Sequence, residues 1–271
     1  MQSPRVSGIQ HQESVINSSN LDREVKLDFY VVPGVKPSGT ASLLFINDGQ
    51  NLEEMNFNDA LDELSRNGLN HPLICVGIHA GKDRKHEYGV AGMPDYLGRG
   101  DMAEAYTNFV TGELLPHVQD LFKGIEFRNN SFAGFSLGGL MALDIVWTHP
   151  SLFKLAGVFS GSLWWRSIDQ DDPEYDDDKH RIMHQRIRNG THHPGLRFFF
   201  QCGNKDETMD RNKNGIIDSI DDTRDLISEL VKKGYEEGRD ISYLEMPEGR
   251  HDLETWARAM PDFLKLVAQQ I

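Results

Sequence analysis

A chain of 271 residues, 38% hydrophobic and 26% charged, can bury a large core without disulfide or metal staples and has no compositional mark of wholesale disorder. Its net charge of −14 repels a phosphate backbone and no basic stripe offsets it, which excludes nucleic acid as a natural partner. No run approaches the roughly 18 consecutive apolar residues that span a bilayer as a helix, so no membrane partner is expected.

Residues 1–20 read as an N-terminal extended segment ahead of a single domain over 21–271. The first five residues, Met1-Gln2-Ser3-Pro4-Arg5, contain no apolar stretch of the signal-peptide kind. A native N-terminus would therefore mean a cytoplasmic protein, and a removed leader a periplasmic or secreted one. Residues 24–32 alternate polar and apolar and stop at Pro33-Gly34, as a strand and turn do. The apolar runs 41–46 and 73–78 have the continuous hydrophobicity of buried parallel strands, with a helical stretch over 58–67 between them. A polar connection over 79–101 leads to a long amphipathic helix over 102–122, despite Gly112 and Pro116 inside it. The alternation continues with strands over 131–135, 155–160, 197–202 and 241–245, and helices over 137–147, 222–233 and 253–269. Residues 166–195 form a polar insertion, either a lid or a solvated surface excursion. Strands alternating with helices predict an α/β fold with a mostly parallel central sheet and helices on both faces. Cys75 and Cys202 lie in or beside apolar runs and read as buried free thiols.

Between a strand and a helix stands Gly134-Phe135-Ser136-Leu137-Gly138, with Gly139 behind it. A serine nucleophile must project from a turn too tight for large side chains two positions away, and this G-x-S-x-G pattern supplies that turn. The following helix aims its first N–H groups at developing negative charge. Ser136 is thus the candidate nucleophile. Its partners should follow in the order acid, then histidine, on loops after later strands. Asp206 leaves the strand 197–202, with Glu207 next in line, and His251 follows the last strand just before the closing helix. His251 would take the Ser136 proton, and Asp206 would orient the imidazole. One oxyanion-hole donor should be the N–H of Leu137, and the other Gly49 or Gln50 in the Asp48-Gly49-Gln50-Asn51 turn.

Five segments together resemble one family. They are Asp48-Gly49-Gln50-Asn51-Leu52, Ala133 to Gly139, Ser160-Gly161-Ser162-Leu163-Trp164-Trp165, Cys202-Gly203-Asn204-Lys205-Asp206-Glu207, and Gly249-Arg250-His251-Asp252 with Trp256. The chain resembles, from about residue 25 to 265, the Putative esterase family of the α/β-hydrolase superfamily, which includes enterochelin esterases, esterase D and feruloyl esterases. The resemblance places nucleophile, acid and base on Ser136, Asp206 and His251, and implies cleavage of carboxylic or thio esters without a catalytic cofactor. Arg250 stands where many relatives have glycine and would bring a cation beside the site. Trp164 and Trp165 are candidates for an aromatic-accepting pocket, with core packing as their alternative.

Residues 210–221 carry a second pattern. Asp210, Asn212, Asn214, Asp218 and Asp221 fall at loop positions one, three, five, nine and twelve, and Gly215 falls at six. This is the EF-hand spacing, with the Ile216 carbonyl as the backbone ligand and an aspartate at twelve as in dockerin repeats. It predicts a structural Ca²⁺ near Asp206; the alternative is a metal-free surface loop.

The sequence therefore predicts a serine esterase acting on a small-molecule or carbohydrate ester: an acylated sugar, a feruloyl-type aromatic ester or a siderophore ester. Acyl transfer on the same triad, or a non-catalytic binding protein on the same fold, are its alternatives.

Overall fold

A computed structural model describes residues 8–269 except positions 37, 68, 70 and 71. The strands are β1 (Gln10–Ser18), β2 (Arg23–Val31), β3 (Gly39–Asn47), β4 (Leu73–Ile78), β5 (Ile125–Phe127), β6 (Ser131–Phe135), β7 (Leu155–Phe159), β8 (Arg197–Lys205) and β9 (Ile241–Arg250). They form one sheet in the order β1-β2-β4-β3-β6-β7-β8-β9, with β5 pairing beside β3. The β1–β2 and β2–β4 pairs are antiparallel, and every pair from β4 to β9 is parallel. The mostly parallel sheet and single domain match the sequence expectation.

The helices are α1 (Phe57–Arg66), α2 (Arg84–Glu87), α3 (Ala103–Phe109), α4 (Leu115–Leu121), α5 (Leu137–Thr148), α6 (Asp177–His180), α7 (Ile182–Asn189), α8 (Asp218–Lys233) and α9 (Leu253–Ala268). Alternate strand residues face opposite layers. Leu43, Phe45, Ile74 and Val76 pack with α3, α4, α5, α7 and α8. Leu44, Ile46 and Cys75 pack with α1 and α9 on the other side. The inner strands β4, β6 and β7 are buried along their whole length, which is why they read as unbroken apolar runs.

Three differences from the sequence expectation have physical causes. The predicted helix 102–122 is interrupted by a π-turn at Val110–Leu114, so that Pro116 enters at the start of α4. Inside an unbroken α-helix this proline would lose a hydrogen bond and clash with the carbonyl four residues back. Residues 10–18 are not merely extended but form the edge strand β1, mostly exposed and therefore weakly patterned. The 166–195 insertion contains α6 and α7, and buried ion pairs anchor it. Arg186 meets the fully buried Asp144 of α5 at 2.5 Å, and Arg181 meets Asp222 of α8 at 2.8 Å. Cys75 and Cys202 are free and buried, and burial raises both thiol pKa values, Cys202 to about 12. Among the described residues, no helix is long and apolar enough to cross a membrane.

Candidate active site

Ser136 sits between β6 and α5 with φ 55 and ψ −121, a backbone conformation that costs a non-glycine residue about 1–3 kcal/mol. Its neighbours enforce that turn. A Cβ on Gly134 would stand 2.3 Å from the Gly138 carbonyl oxygen, and one on Gly138 would stand 2.7 Å from Asp48 Oδ2. The Ser136 N–H donates to the Phe159 carbonyl at 2.9 Å, tying the turn to β7. The residue is half-buried, and its hydroxyl lies 3.3 Å from Ser162 Oγ.

The oxyanion-hole candidates lie on both sides of this turn. Leu137 is the first residue of α5, so its N–H has no acceptor within its own helix. Gly49 and Gln50 open a short 3₁₀ turn after Asp48, which itself takes a left-handed conformation at φ 60. Gly49 is buried so closely against β4 that an added Cβ would meet the Gly77 carbonyl carbon at 2.5 Å. The Gln50 side chain accepts the Ala80 N–H at 3.0 Å, which fixes the same turn.

Two residues that sequence reasoning missed join the loop to the nucleophile turn. The Asn47 amide donates to the Gly138 carbonyl at 2.8 Å and accepts from the Tyr106 hydroxyl at 2.6 Å. Arg84 makes a bidentate pair with Asp48 at 2.6 and 2.7 Å and donates to the Phe135 carbonyl at 3.3 Å. Burial opposes the charge on Arg84, but the Asp48 carboxylate outweighs it and raises the guanidinium pKa. In the sequence, Arg84 lies inside a polar connection with no periodicity to mark it.

His251 and Asp206 follow β9 and β8 and face one another electrostatically. Desolvation lowers the His251 pKa; Asp206 opposes this, Arg84 reinforces it and Asp252 opposes it. The residue is exposed to solvent, and the neutral imidazole is the form a general base needs. Desolvation raises the Asp206 carboxyl pKa, with Ser160, the Gly203 backbone and His251 pulling it back down. Neither buried Asp206 carboxylate oxygen has a hydrogen-bond partner among the described residues. Glu207, the second acid candidate, instead accepts the Ser219 N–H at 2.6 Å.

The remaining predicted residues divide. Trp164 is half-buried, with the Arg99 guanidinium 4.9 Å above its ring and Arg166 at 5.7 Å. Trp165 follows the core-packing alternative: it is wholly buried, and its indole N–H donates to the Met93 carbonyl at 3.1 Å. Arg250 is exposed, and its backbone N–H is held by Thr255 Oγ1 at 2.8 Å.

In the 210–221 loop, Asp210 accepts the Asn214 and Gly215 N–H groups at 3.1 and 2.9 Å. The Asn212 and Asn214 amides both reach Asp221 Oδ2, at 3.0 and 2.7 Å. The Ile216 N–H is bound by Asn214 Oδ1 at 2.7 Å. Four of the six predicted ligands thus share one network around a single turn. Asp218 accepts the Arg211 N–H at 2.8 Å, with the Arg211 guanidinium 3.3 Å away. Among the described residues, no three His, Cys, Asp or Glu side chains cluster as a metal site, so the loop's oxygen set depends on its two asparagines.

The parallel sheet, the glycine-flanked turn at Ser136 and the loops after β8 and β9 define an α/β-hydrolase fold. A match to the Putative esterase family covers residues 18–266, and the chain belongs to that family. It is 32% identical over 66 residues to the siderophore triacetylfusarinine C esterase of Aspergillus fumigatus, covering 24% of this chain and 23% of that protein. It is 26% identical over 135 residues to the uncharacterized protein YbbA of Bacillus subtilis, covering 48% and 53% of the two chains. Among solved structures, the Shigella flexneri enterobactin esterase FES superposes with TM-score 0.74 at 21% identity, over 98% of this chain and 60% of that one. The siderophore hydrolase EstA of Aspergillus nidulans gives 0.72 at 16% identity, over 99% and 98%. The chain therefore matches about half or less of these curated relatives' lengths and about 60% of the enterobactin esterase.

Proposed function

We propose that this chain is a carboxylic ester hydrolase working through Ser136, His251 and Asp206, on a siderophore, feruloyl-type or acylated carbohydrate ester. The observation that carries the reading is the strained Ser136 backbone at the head of α5, with His251 and Asp206 on loops after the last two strands. The Ser136 hydroxyl turns from Ser162 toward His251, which removes its proton as Oγ attacks the ester carbonyl carbon. The N–H of Leu137 and that of Gly49 or Gln50 receive the negative oxygen of the tetrahedral intermediate. His251 returns the proton to the leaving alcohol, and the acyl group stays on Ser136. Water, deprotonated by His251, then releases the acid and restores the serine. Family membership and the siderophore esterases among the relatives support this substrate range.

The test is covalent. A fluorophosphonate should add one phosphonyl group per chain, mapped by mass spectrometry to the peptide containing Ser136 and absent after Ser136→Ala. Labelling elsewhere, or equal labelling of the variant, would remove the nucleophile assignment.

We propose in addition that residues 210–221 bind a structural Ca²⁺ through Asp210, Asn212, Asn214, the Ile216 carbonyl, Asp218 and Asp221. The ion would supply positive charge that holds these oxygens together and steadies the segment beginning at Asp206. It takes no part in the reaction.

A further inference from the structure

Ser162 lies outside the triad, just beyond the end of β7, yet its side chain meets the nucleophile. The Ser162 and Ser136 hydroxyl oxygens stand 3.3 Å apart, and either can donate. The backbone sets this contact from both sides. The Ser136 N–H donates to the Phe159 carbonyl at 2.9 Å, and the Ser162 N–H donates to the Ser136 carbonyl at 3.1 Å. Between these bonds Ser160 takes a left-handed φ of 43, and a Cβ on Gly161 would stand 2.4 Å from Val158 Cγ1. A backbone strained in this way persists only where its surroundings over-determine it. Here the turn carries Ser162 back to the nucleophile. Ser162 is only 3% exposed, so its hydroxyl relies on protein partners, and Ser136 Oγ is the one it has among the described residues.

A hydroxyl has one hydrogen to give and two lone pairs to receive. If Ser136 spends its hydrogen on Ser162, none is left for His251. When that hydrogen points to His251, the bond between the serines survives only with Ser162 as donor. We infer that Ser162 is a catalytic residue: its hydroxyl donates to Ser136 Oγ while Ser136 gives its own hydrogen to His251. The bond fixes the direction of the Ser136 hydrogen and stabilises the negative charge that gathers on Oγ as the proton leaves. Ser162 keeps its own proton throughout. The Ser136 proton passes to His251, Oγ bonds to the ester carbonyl carbon, and the same donor meets Oγ again when the acyl group departs. A separation of 3.3 Å is long for a hydroxyl pair, and catalytic contacts of free enzymes commonly tighten once substrate binds.

This rests on the triad reading above, so the experiment follows the nucleophile itself. Wild type and Ser162→Ala are compared by the rate and extent of fluorophosphonate labelling and by p-nitrophenyl acetate kinetics, with Ser136→Ala as the blank. Ser162→Ala removes one oxygen and leaves the backbone bonds of residue 162 to Ser136 and Trp165 in place. The expected result is labelling that still reaches one phosphonyl group per chain but about tenfold more slowly. kcat should fall by about the same factor, with KM within about twofold. A merely structural role would instead lower the extent of labelling, through chains that no longer fold, and leave the rate of the remainder unchanged. That outcome, or a wild-type rate in Ser162→Ala, would overturn the inference. If wild type itself is not labelled at Ser136, the triad reading fails and this inference with it. If wild type is labelled and Ser162→Ala matches it, this inference alone fails.

Discussion

At Gly134 an added methyl group would stand 2.3 Å from a backbone oxygen that cannot move without opening the turn at Ser136. Gly134→Ala should therefore abolish esterase activity and lower the melting temperature by several degrees, an overpacking cost of about 1–3 kcal/mol. Thermal melting beside the ester assay checks it, and a stable, active variant would show that Gly134 does not enforce the turn. His184 bears on acid stability. It is fully buried, its Nε2 meets the Asp222 carbonyl at 2.8 Å, and its Nδ1 has no partner. Burial first, then the Arg181 charge, lowers its pKa to about 3. Unfolded histidine titrates near 6.5, so between about pH 6.5 and 3 the unfolded chain binds the extra proton. Folding stability should drop by about 1.4 kcal/mol per pH unit across that window. Urea unfolding at pH 7 and pH 5 should show a smaller acid loss in His184→Gln than in wild type, and equal losses would rule the residue out.

Among the elements, the 210–221 loop and its helix make the next prediction. A cation that binds only the folded chain stabilises it by RT ln(1 + [L]/Kd), about 2.7 kcal/mol at a hundredfold excess over Kd. Calcium added to EDTA-treated protein should raise the melting temperature, and Asp210→Ala with Asp221→Ala should abolish the rise. No rise in wild type would leave a metal-free loop. Elements with simple steric or periodic demands were legible in the sequence. Gly134 and Gly138 mark the Ser136 turn because no other side chain fits, and β4, β6 and β7 are apolar because both their faces are covered. The helices α6 and α7 were not legible, because ion pairs from Arg181 and Arg186 to distant carboxylates anchor them without a long apolar stripe. The helix α8 begins at Asp218, four residues before the helix predicted from 222, and so takes in Asp218 and Asp221, because hydrophobic spacing begins later than the backbone turn.

Over the whole molecule, residues 49, 136, 206 and 251 each stand just after the C-terminal end of a strand of the parallel sheet, β3, β6, β8 and β9, and so belong to the same edge of it. That shared edge was foreseeable from element order, because each strand–loop–helix unit returns its loop to the same edge. The side chains that adjust the site were not foreseeable. Arg84 and Asn47 bond Asp48 and Gly138 across 36 and 91 residues of sequence, distances over which no local pattern carries information. The insertion's ties to α5 and α8 likewise join remote parts of the chain. The most direct test of the central claim is p-nitrophenyl acetate hydrolysis by wild type and by Ser136→Ala at pH 7. The account predicts turnover by wild type and a loss of at least about a thousandfold in kcat for the variant, with its fold intact. An inactive wild type, or a variant as active as wild type, would contradict it.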